Sequence, residues 1–272
     1  MERVKGVLRE AGLASVDAEA RRLVEAATGR STAELLLQPE VDDSVEAAAV
    51  SLARRRAAGE PLQYVTGVAG FRRLDLAVGP GVFVPRPETE LVVEKGLERL
   101  PQGGTVVDVG TGSGAIALSI ADERPDARVF ATERFSDAVE WVRRNRDSTG
   151  KHIEIIEGDV FDGLPEDLRG QFDVVISNPP YVANAERSTL PPDVVEQEPH
   201  GALFGGDAGM DIIERLASES LDWLRPQGWL VLEIGAGQGP KVHSLLDGLG
   251  YEEVKIGVDY ANWPRVAEAR RP

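Results

Sequence analysis

Two short stretches of this chain hold residue types that chemistry requires, each at the end of an apolar run. The first is Val107-Asp108-Val109-Gly110-Thr111-Gly112-Ser113-Gly114. Glycines let a backbone turn tightly and approach a ligand closely, so Gly110, Thr111, Gly112, Ser113 and Gly114 are candidates for a cradle between a strand and a helix. The spacing is Gly-x-Gly-x-Gly and not the Gly-x-Gly-x-x-Gly of dinucleotide sites. Ser113 lacks the Gly-x-Ser-x-Gly setting of a nucleophile elbow. Glu133 stands 19 residues past Gly114, at the end of the next apolar run. A carboxylate there can accept both hydroxyls of a ribose. Gly158-Asp159-Val160 ends the third run and sets an acceptor, Asp159, beside an apolar face, Val160, as an adenine ring and its amino group require. A tight turn alone explains the glycines. Glu133 and Asp159 in phase on successive strands turn the reading toward a nucleoside site.

The second stretch is Asp173-Val174-Val175-Ile176-Ser177-Asn178-Pro179-Pro180-Tyr181. Pro179 excludes Asn178 from the helical region, and each proline fixes its own φ. A rigid turn at a strand end then holds two acceptors, the Asn178 side-chain oxygen and the Pro179 carbonyl, on the ligand side. Tyr181 adds a flat apolar face with a polar tip and is expected to keep an ordinary phenol pKa. Two convergent acceptors suit a planar NH₂ group, whose two hydrogens both donate. Stiff prolines with a capping tyrosine are the plain structural alternative. A nucleoside site one strand earlier in the chain weighs against it.

Both stretches must be positioned by the elements around them. From about residue 88 helical and apolar-strand patterns alternate. Strands are expected at Thr105–Val109, Arg128–Thr132, Ile153–Ile156, Phe172–Ser177, Gly228–Ile234 and Glu253–Val258. Helices are expected at Leu91–Leu100, Ala115–Glu123, Asp137–Arg146, Asp211–Leu224 and Lys241–Leu249. Such alternation makes an α/β fold with a mostly parallel sheet covered on both faces, whose ligands bind at the carboxyl ends of the strands. Residues 61–86 read as a hairpin linker, punctuated by Gly67, Gly70, Gly79, Pro80 and Gly81. Residues 1–60 read as a separate helical domain. Its helices start at Ser15, Ser31 and Ser44 and stop at Gly29, Pro39 and Gly59. The triplet Arg54-Arg55-Arg56 reads as the solvated end of the last of them, favoured by the helix dipole. The division is therefore 1–60, 61–86 and 87–272.

Composition narrows the classes. The 272 residues include no cysteine, which excludes disulfides, a thiol nucleophile and cysteine-ligated metals. His152, His200 and His243 have no ligand spacing, so no metal is expected. No apolar run approaches the ~20 residues of a membrane span, and the first residues lack a signal-peptide core. A cytoplasmic protein is expected. Thirty basic against 46 acidic residues give a formal charge of −16, of which residues 61–272 carry −14. Two units with different surfaces, solubility, salt adaptation or a partner would each account for that asymmetry. A protein that grips phosphates usually presents a basic surface, so direct nucleic-acid binding is not expected.

Asn-Pro-Pro-Tyr after a Gly-x-Gly-x-Gly site resembles the S-adenosylmethionine-dependent methyltransferases of planar amino and amide nitrogens. Phe83-Val84-Pro85-Arg86-Pro87-Glu88-Thr89-Glu90 is similar to a segment of the release-factor glutamine methyltransferases, the HemK family. Glu198-Pro199 with Ala202-Leu203-Phe204-Gly205-Gly206, and Gln63-Tyr64-Val65-Thr66-Gly67, are similar to further blocks of it. The chain departs from that pattern at Glu133, where aspartate is commoner, and at Val160, where an aromatic often sits. The resemblance implies a class I, Rossmann-like sheet of seven strands and S-adenosylmethionine as cofactor, with S-adenosylhomocysteine as product. It implies binding by Gly110–Gly114, Glu133, Asp159, Val160 and Asn178. It implies peptide chain release factors as partners, their glutamine amide held by Asn178, Pro179, Pro180 and Tyr181. Residues 1–60, without a cofactor motif, are expected to dock that protein. A ribosomal-protein glutamine methyltransferase shares the Asn-Pro-Pro-Tyr turn, and a nucleic-acid amino-group methyltransferase shares the substrate geometry. The intact Pro85–Glu90 segment favours release factors.

Overall fold

Apolar residues at helical spacing open the chain and fold it into helices α1 (Glu2–Glu10), α2 (Val16–Thr28), α3 (Thr32–Leu37), α4 (Asp43–Ala57) and α5 (Leu62–Thr66). The computed structural model describes residues 1–38 and 40–272, so the expected stop at Pro39 lies outside the described residues. Ser31 caps α3 in a reciprocal box with Glu34. The cap of α4 is Asp42 and not Ser44. Asp42 accepts the Val45 amide at 2.9 Å, and the Ser44 hydroxyl turns back onto the same carboxylate. Val4, Leu8, Leu23 and Ala53 are sealed at the centre of this bundle. Each large apolar side chain so buried contributes about 1.5–3 kcal/mol.

Residues Met1–Val68, Val78–Pro80 and Pro191–Gln197 pack as one unit, and the remainder packs as a second. Within the first unit, Arg56 corrects the reading of the basic triplet. Its side chain is 12% exposed and binds Glu19 at 2.8 Å and Asp193 at 3.3 Å. It is an internal clamp and not a solvated helix end. Asp193 lies in helix α9 (Pro192–Gln197), far along the chain, so no local pattern could have announced the contact.

The second unit starts at Ala69, within the hairpin of strands β1 (Val68–Phe71) and β2 (Leu74–Ala77). There follow α6 (Thr89–Arg99), β3 (Thr105–Val109), α7 (Ala115–Glu123), β4 (Arg128–Glu133), α8 (Ser136–Thr149), β5 (Glu154–Glu157) and β6 (Phe172–Ser177). After α9 come α10 (His200–Leu203), α11 (Asp211–Trp223), β7 (Leu224–Glu233), α12 (Gly239–Gly248), β8 (Glu252–Val258) and β9 (Pro264–Arg270). Strands β3 to β9 form one seven-stranded sheet in the order β5-β4-β3-β6-β7-β9-β8. The first five are parallel, and β9 runs antiparallel to both β7 and β8. This is the class I methyltransferase sheet.

Six of the seven strands answer to apolar runs in the sequence. The seventh, β9, does not, because Pro-Arg-Val-Ala-Glu-Ala-Arg carries three charges. The fold absorbs the central one: Glu268 is 4% exposed and accepts from Arg99 at 2.8 Å, and the guanidinium of Arg99 lies over the Trp229 ring. Buried strands β3 and β6 are built on short Val/Ile runs, Val106-Val107 and Val174-Val175-Ile176, as parallel strands with both faces covered are. Chain order reverses at β3, which has β4 on one side and β6 on the other. That switch point is where such sheets bind ligands.

Candidate active site

The carboxyl ends of β3, β4, β5 and β6 surround a cavity of about 280 Å³. Its wall includes Gly110, Thr111, Gly112 and Ser113 from the first loop, and Glu133, Asp159 and Val160 from the next two strand ends. Asn178, Pro179, Pro180 and Tyr181 line it as well. The two sequence constellations, far apart in the chain, thus line one cavity.

The glycine loop is fixed from below. Asp108, the residue before the last of β3, is fully buried; its Oδ2 accepts the Thr111 hydroxyl at 2.5 Å and the Ala117 amide at 3.1 Å. It therefore caps an orphan amide of the first turn of α7 from inside the sheet. Its Oδ1 is buried without a partner, and burial pushes its pKa up to about 7. Asn145 of α8 is fully buried and donates to the Ser113 carbonyl at 2.9 Å and the Ala77 carbonyl at 3.0 Å. Gly110 and Gly112 sit at φ of +71° and +57°, and a Cβ at either position would meet nothing within 4 Å, so the space beside them is open. Gly114 belongs to the loop but not to the cavity wall. At φ +87° its missing Cβ would lie 2.8 Å from Val142 and 2.9 Å from Leu118, so it serves close packing of the helix.

Glu133 ends β4 and is 5% exposed. Its Oε2 accepts the Gly112 amide at 2.9 Å and its Oε1 the Phe135 amide at 3.0 Å. One carboxylate therefore ties the glycine loop to the following turn, and each oxygen keeps a second lone pair for a diol in the cavity. Asp159 is further out. It pairs with Arg215 at 2.8 Å and with Arg134 at 3.5 Å, two cations that no local pattern would have placed there. Val160 has φ +57°, an unusual conformation for a β-branched residue. The Thr132 hydroxyl holds its carbonyl at 2.7 Å, and its side chain is turned into the cavity wall.

At the end of β6, the Ser177 hydroxyl binds the Val109 carbonyl at 2.6 Å and locks the turn to β3. Asn178 Nδ2 donates to the Thr89 hydroxyl at 3.0 Å. Among the described residues, neither Asn178 Oδ1 nor the Pro179 carbonyl enters a hydrogen bond. The Tyr181 hydroxyl donates to Glu233 at 3.2 Å. Burial, reinforced by the Glu233 charge, raises the Tyr181 pKa above that of a free phenol, which corrects the ordinary value expected of it. The sequence reading missed Phe135 and Phe204, which also line the cavity, and Glu233 behind the turn. Phe204 lies in a block that carried the family resemblance. Phe135 and Glu233 gave no local signal. Arg86 pairs with Glu198, which also accepts the Val84 amide at 3.3 Å, so two of the blocks that carried the resemblance are bound to each other.

A family model for the methyltransferase small domain matches residues 74–200, and one for the PrmC N-terminal domain matches residues 1–67. The chain is 40% identical over 269 residues to the release factor glutamine methyltransferase of Streptomyces coelicolor, covering 97% of this chain and 94% of that one. The chain belongs to the release factor glutamine methyltransferases. The enzyme of that name from Geobacter sulfurreducens is 36% identical over 98% of this chain and 93% of its own. In fold, the chain is similar to the T. thermophilus 16S rRNA N2 G1207 methyltransferase in complex with AdoMet and guanosine. The TM-score is 0.55 at 22% identity, covering 75% of this chain and 50% of that one.

As a member of the release factor glutamine methyltransferases, the chain is an S-adenosylmethionine-dependent enzyme. Its residues fit that cofactor. The space beside Gly110 and Gly112 is open, Glu133 keeps acceptor capacity at the cavity wall, and Val109, Val160 and Ala138 give that wall an apolar face.

Proposed function

We infer that the chain methylates the side-chain amide nitrogen of the glutamine in the Gly-Gly-Gln loop of peptide chain release factors. The observation that carries this reading is the pair of unused acceptors, Asn178 Oδ1 and the Pro179 carbonyl, in a turn that lines the same cavity as the glycine loop. Relatives of the same name along nearly the whole chain support it. S-adenosylmethionine, when bound, supplies an electrophilic methyl group on a sulfonium. Gly110, Thr111, Gly112, Ser113, Glu133, Asp159 and Val160 would hold it.

An amide nitrogen is a poor nucleophile, because its lone pair is delocalised into the carbonyl. Asn178 and Pro179 take both hydrogens of the NH₂ and so fix the plane and direction of the nitrogen. Holding two reactants at near-attack geometry supplies roughly 7–11 kcal/mol of a barrier. No side chain in the turn is a base: asparagine does not titrate, and Tyr181 stays protonated. The displaced amide proton leaves to water. Asn178 is therefore an orienting acceptor.

None of the described residues among 1–60 lines the cavity, and we assign this segment to docking the release factor, a role that crosslinking of the bound factor to α1–α5 would test. The −14 charge of residues 61–272 weighs against a nucleic-acid substrate, and the cytoplasm is the compartment in which release factors are met. The chain needs no metal in this scheme. Incubation with methyl-labelled cofactor and, separately, release factor, ribosomal protein and ribosomal RNA tests the reading. Label on release factor is expected, and label on RNA alone would overturn it.

A further inference from the structure

The loop Asp259-Tyr260-Ala261-Asn262-Trp263 joins β8 to β9 and holds two aromatic rings out in solvent. Tyr260 is fully exposed, Trp263 is 56% exposed, and Val258 before them is 50% exposed. The backbone that carries them is firmly built. Asp259 Oδ1 accepts the Ala261 and Trp263 amides, each at 2.9 Å, and its Oδ2 accepts Arg265 Nε at 3.1 Å. The Asp259 amide donates to the Trp263 carbonyl at 2.9 Å, and the Asn262 amide returns to the Asp259 carbonyl at 2.9 Å. Asn262 takes a φ of +62°, a left-handed turn that asparagine tolerates better than most residues. One carboxylate thus sets the shape of the loop. A partner that seats on it does not have to order the backbone first, a cost that otherwise weakens binding.

The loop stands on the same edge of the sheet as the Asn-Pro-Pro-Tyr turn. Strand β9 runs antiparallel to β7, so its first residues lie beside the last of β7: Val266 pairs with Glu233, and the Ile234 amide donates to the Arg265 carbonyl at 2.9 Å. Contacts run from the turn to the loop. The Tyr181 carbonyl accepts Gln238 Nε2 at 3.0 Å, and a Cβ on the next residue, Gly239, would lie 3.5 Å from Pro264 Cβ. Strands β6, β7, β9 and β8 are successive neighbours, and a spacing of about 4.8 Å between strands sets the loop roughly 10–15 Å from Asn178. A protein partner of ordinary size covers about 800 Å² of each surface, a disc of about 16 Å radius. A release factor whose glutamine sits at the turn therefore reaches the loop. Tyrosine and tryptophan are the side chains that most often carry the binding energy of such contacts. A poor nucleophile needs binding energy drawn from parts of the substrate remote from the reacting atom. Arg265, the cation at the base of the loop, is taken up by Asp259, and residues 61–272 carry −14, which suits a protein surface better than a polyanion. We propose that Tyr260 and Trp263 form a docking point for the body of the release factor, outside the cavity that takes its glutamine. The proposal rests on the reading of a release factor as the substrate.

The test combines steady-state methylation of a release factor with photocrosslinking. The double variant Tyr260→Ser/Trp263→Ser is compared with wild type and with Glu252→Ser, a change at the opposite end of β8. The KM of the double variant for release factor is expected to rise about 30-fold, the scale of one hot-spot side chain. Its kcat and its calorimetric affinity for S-adenosylmethionine should stay at the wild-type values, and Glu252→Ser should match wild type throughout. Benzoylphenylalanine in place of Tyr260, irradiated with release factor and S-adenosylhomocysteine, should crosslink to the factor, and in place of Glu252 it should not. The crosslink needs no turnover. A factor captured from position 260 by a chain that transfers no methyl group to it would overturn the substrate reading and leave the docking point supported. A wild-type KM in the double variant, a loss shared equally by kcat and cofactor affinity, or crosslinks from position 260 that join only a second copy of the chain or added ribosomal RNA would overturn the docking point.

Discussion

Replacing Glu133 by glutamine tests the cofactor cradle at its most connected point. The carboxylate accepts Gly112 N at 2.9 Å on one oxygen and Phe135 N at 3.0 Å on the other, at 5% exposure. Glutamine has the same shape but one acceptor. Whichever way its amide turns, an NH₂ group faces a backbone N–H, and one charge-assisted bond becomes a donor–donor contact. A hydrogen bond to a charged group is worth about 1.5–3 kcal/mol, which is about 10- to 150-fold in a dissociation constant. Glu133→Gln should therefore weaken S-adenosylmethionine binding by that range in isothermal titration calorimetry. Circular dichroism should show an intact fold. Glu133→Asp brings in the residue commoner in the family, yet it draws the carboxylate back by one methylene, about 1.5 Å. The loop here is built around the longer side chain, so this variant is expected to bind more weakly than wild type too. A folded Glu133→Gln protein with affinity within about twofold of wild type would refute the reasoning, since one lost bond of this kind exceeds that.

Asn178→Ala should lower single-turnover methylation by about 10²–10³, the scale of one preorganised partner in an active site. Asn178→Asp, which keeps an acceptor, should fall between alanine and wild type; alanine equal to aspartate would make the turn merely structural. Gly114→Ala should destabilise the fold by about 1–3 kcal/mol through overpacking, because its Cβ meets Val142 at 2.8 Å and Leu118 at 2.9 Å at φ +87°; thermal denaturation measures it. The raised pKa of Glu233 means that the folded chain holds a proton that the unfolded chain has released. Stability from this site is thus highest below the ordinary carboxyl range and falls as pH rises toward about 7. Glu233→Gln should accordingly gain melting temperature over wild type as pH goes from about 5 to about 8. A constant difference would mean that Glu233 does not carry its proton into that range.

Much of this was legible because the parts that do chemistry are short and local. The loop Gly110–Gly114, the rigid turn at Asn178 and the Val/Ile runs of β3 and β6 need only neighbouring residues to declare themselves. What stayed hidden depends on partners distant in the chain. Strand β9 looks polar until Arg99 meets Glu268 across 169 residues. Arg56 looks like a surface cation until Asp193 arrives 137 residues later. Glu233 is an ordinary acid at a strand end until the sheet register sets it behind Asn178. Asp159 was expected as an acceptor for an adenine amino group, and the structure also gives it Arg215 and Arg134 as partners. Charge and hydrogen-bond pairing across the fold leaves no periodic trace, whereas burial on a strand or helix does.

The central claim is that Asn178 and Pro179 present one glutamine amide for methylation, and peptide mass spectrometry of a release factor incubated with the chain and S-adenosylmethionine tests it most directly. The account predicts a single added methyl group, located by fragmentation on the side chain of the glutamine in the Gly-Gly-Gln loop, and its absence with Asn178→Ala. A methyl group on any other residue, or an unmodified glutamine in a reaction that consumes S-adenosylmethionine, would contradict it.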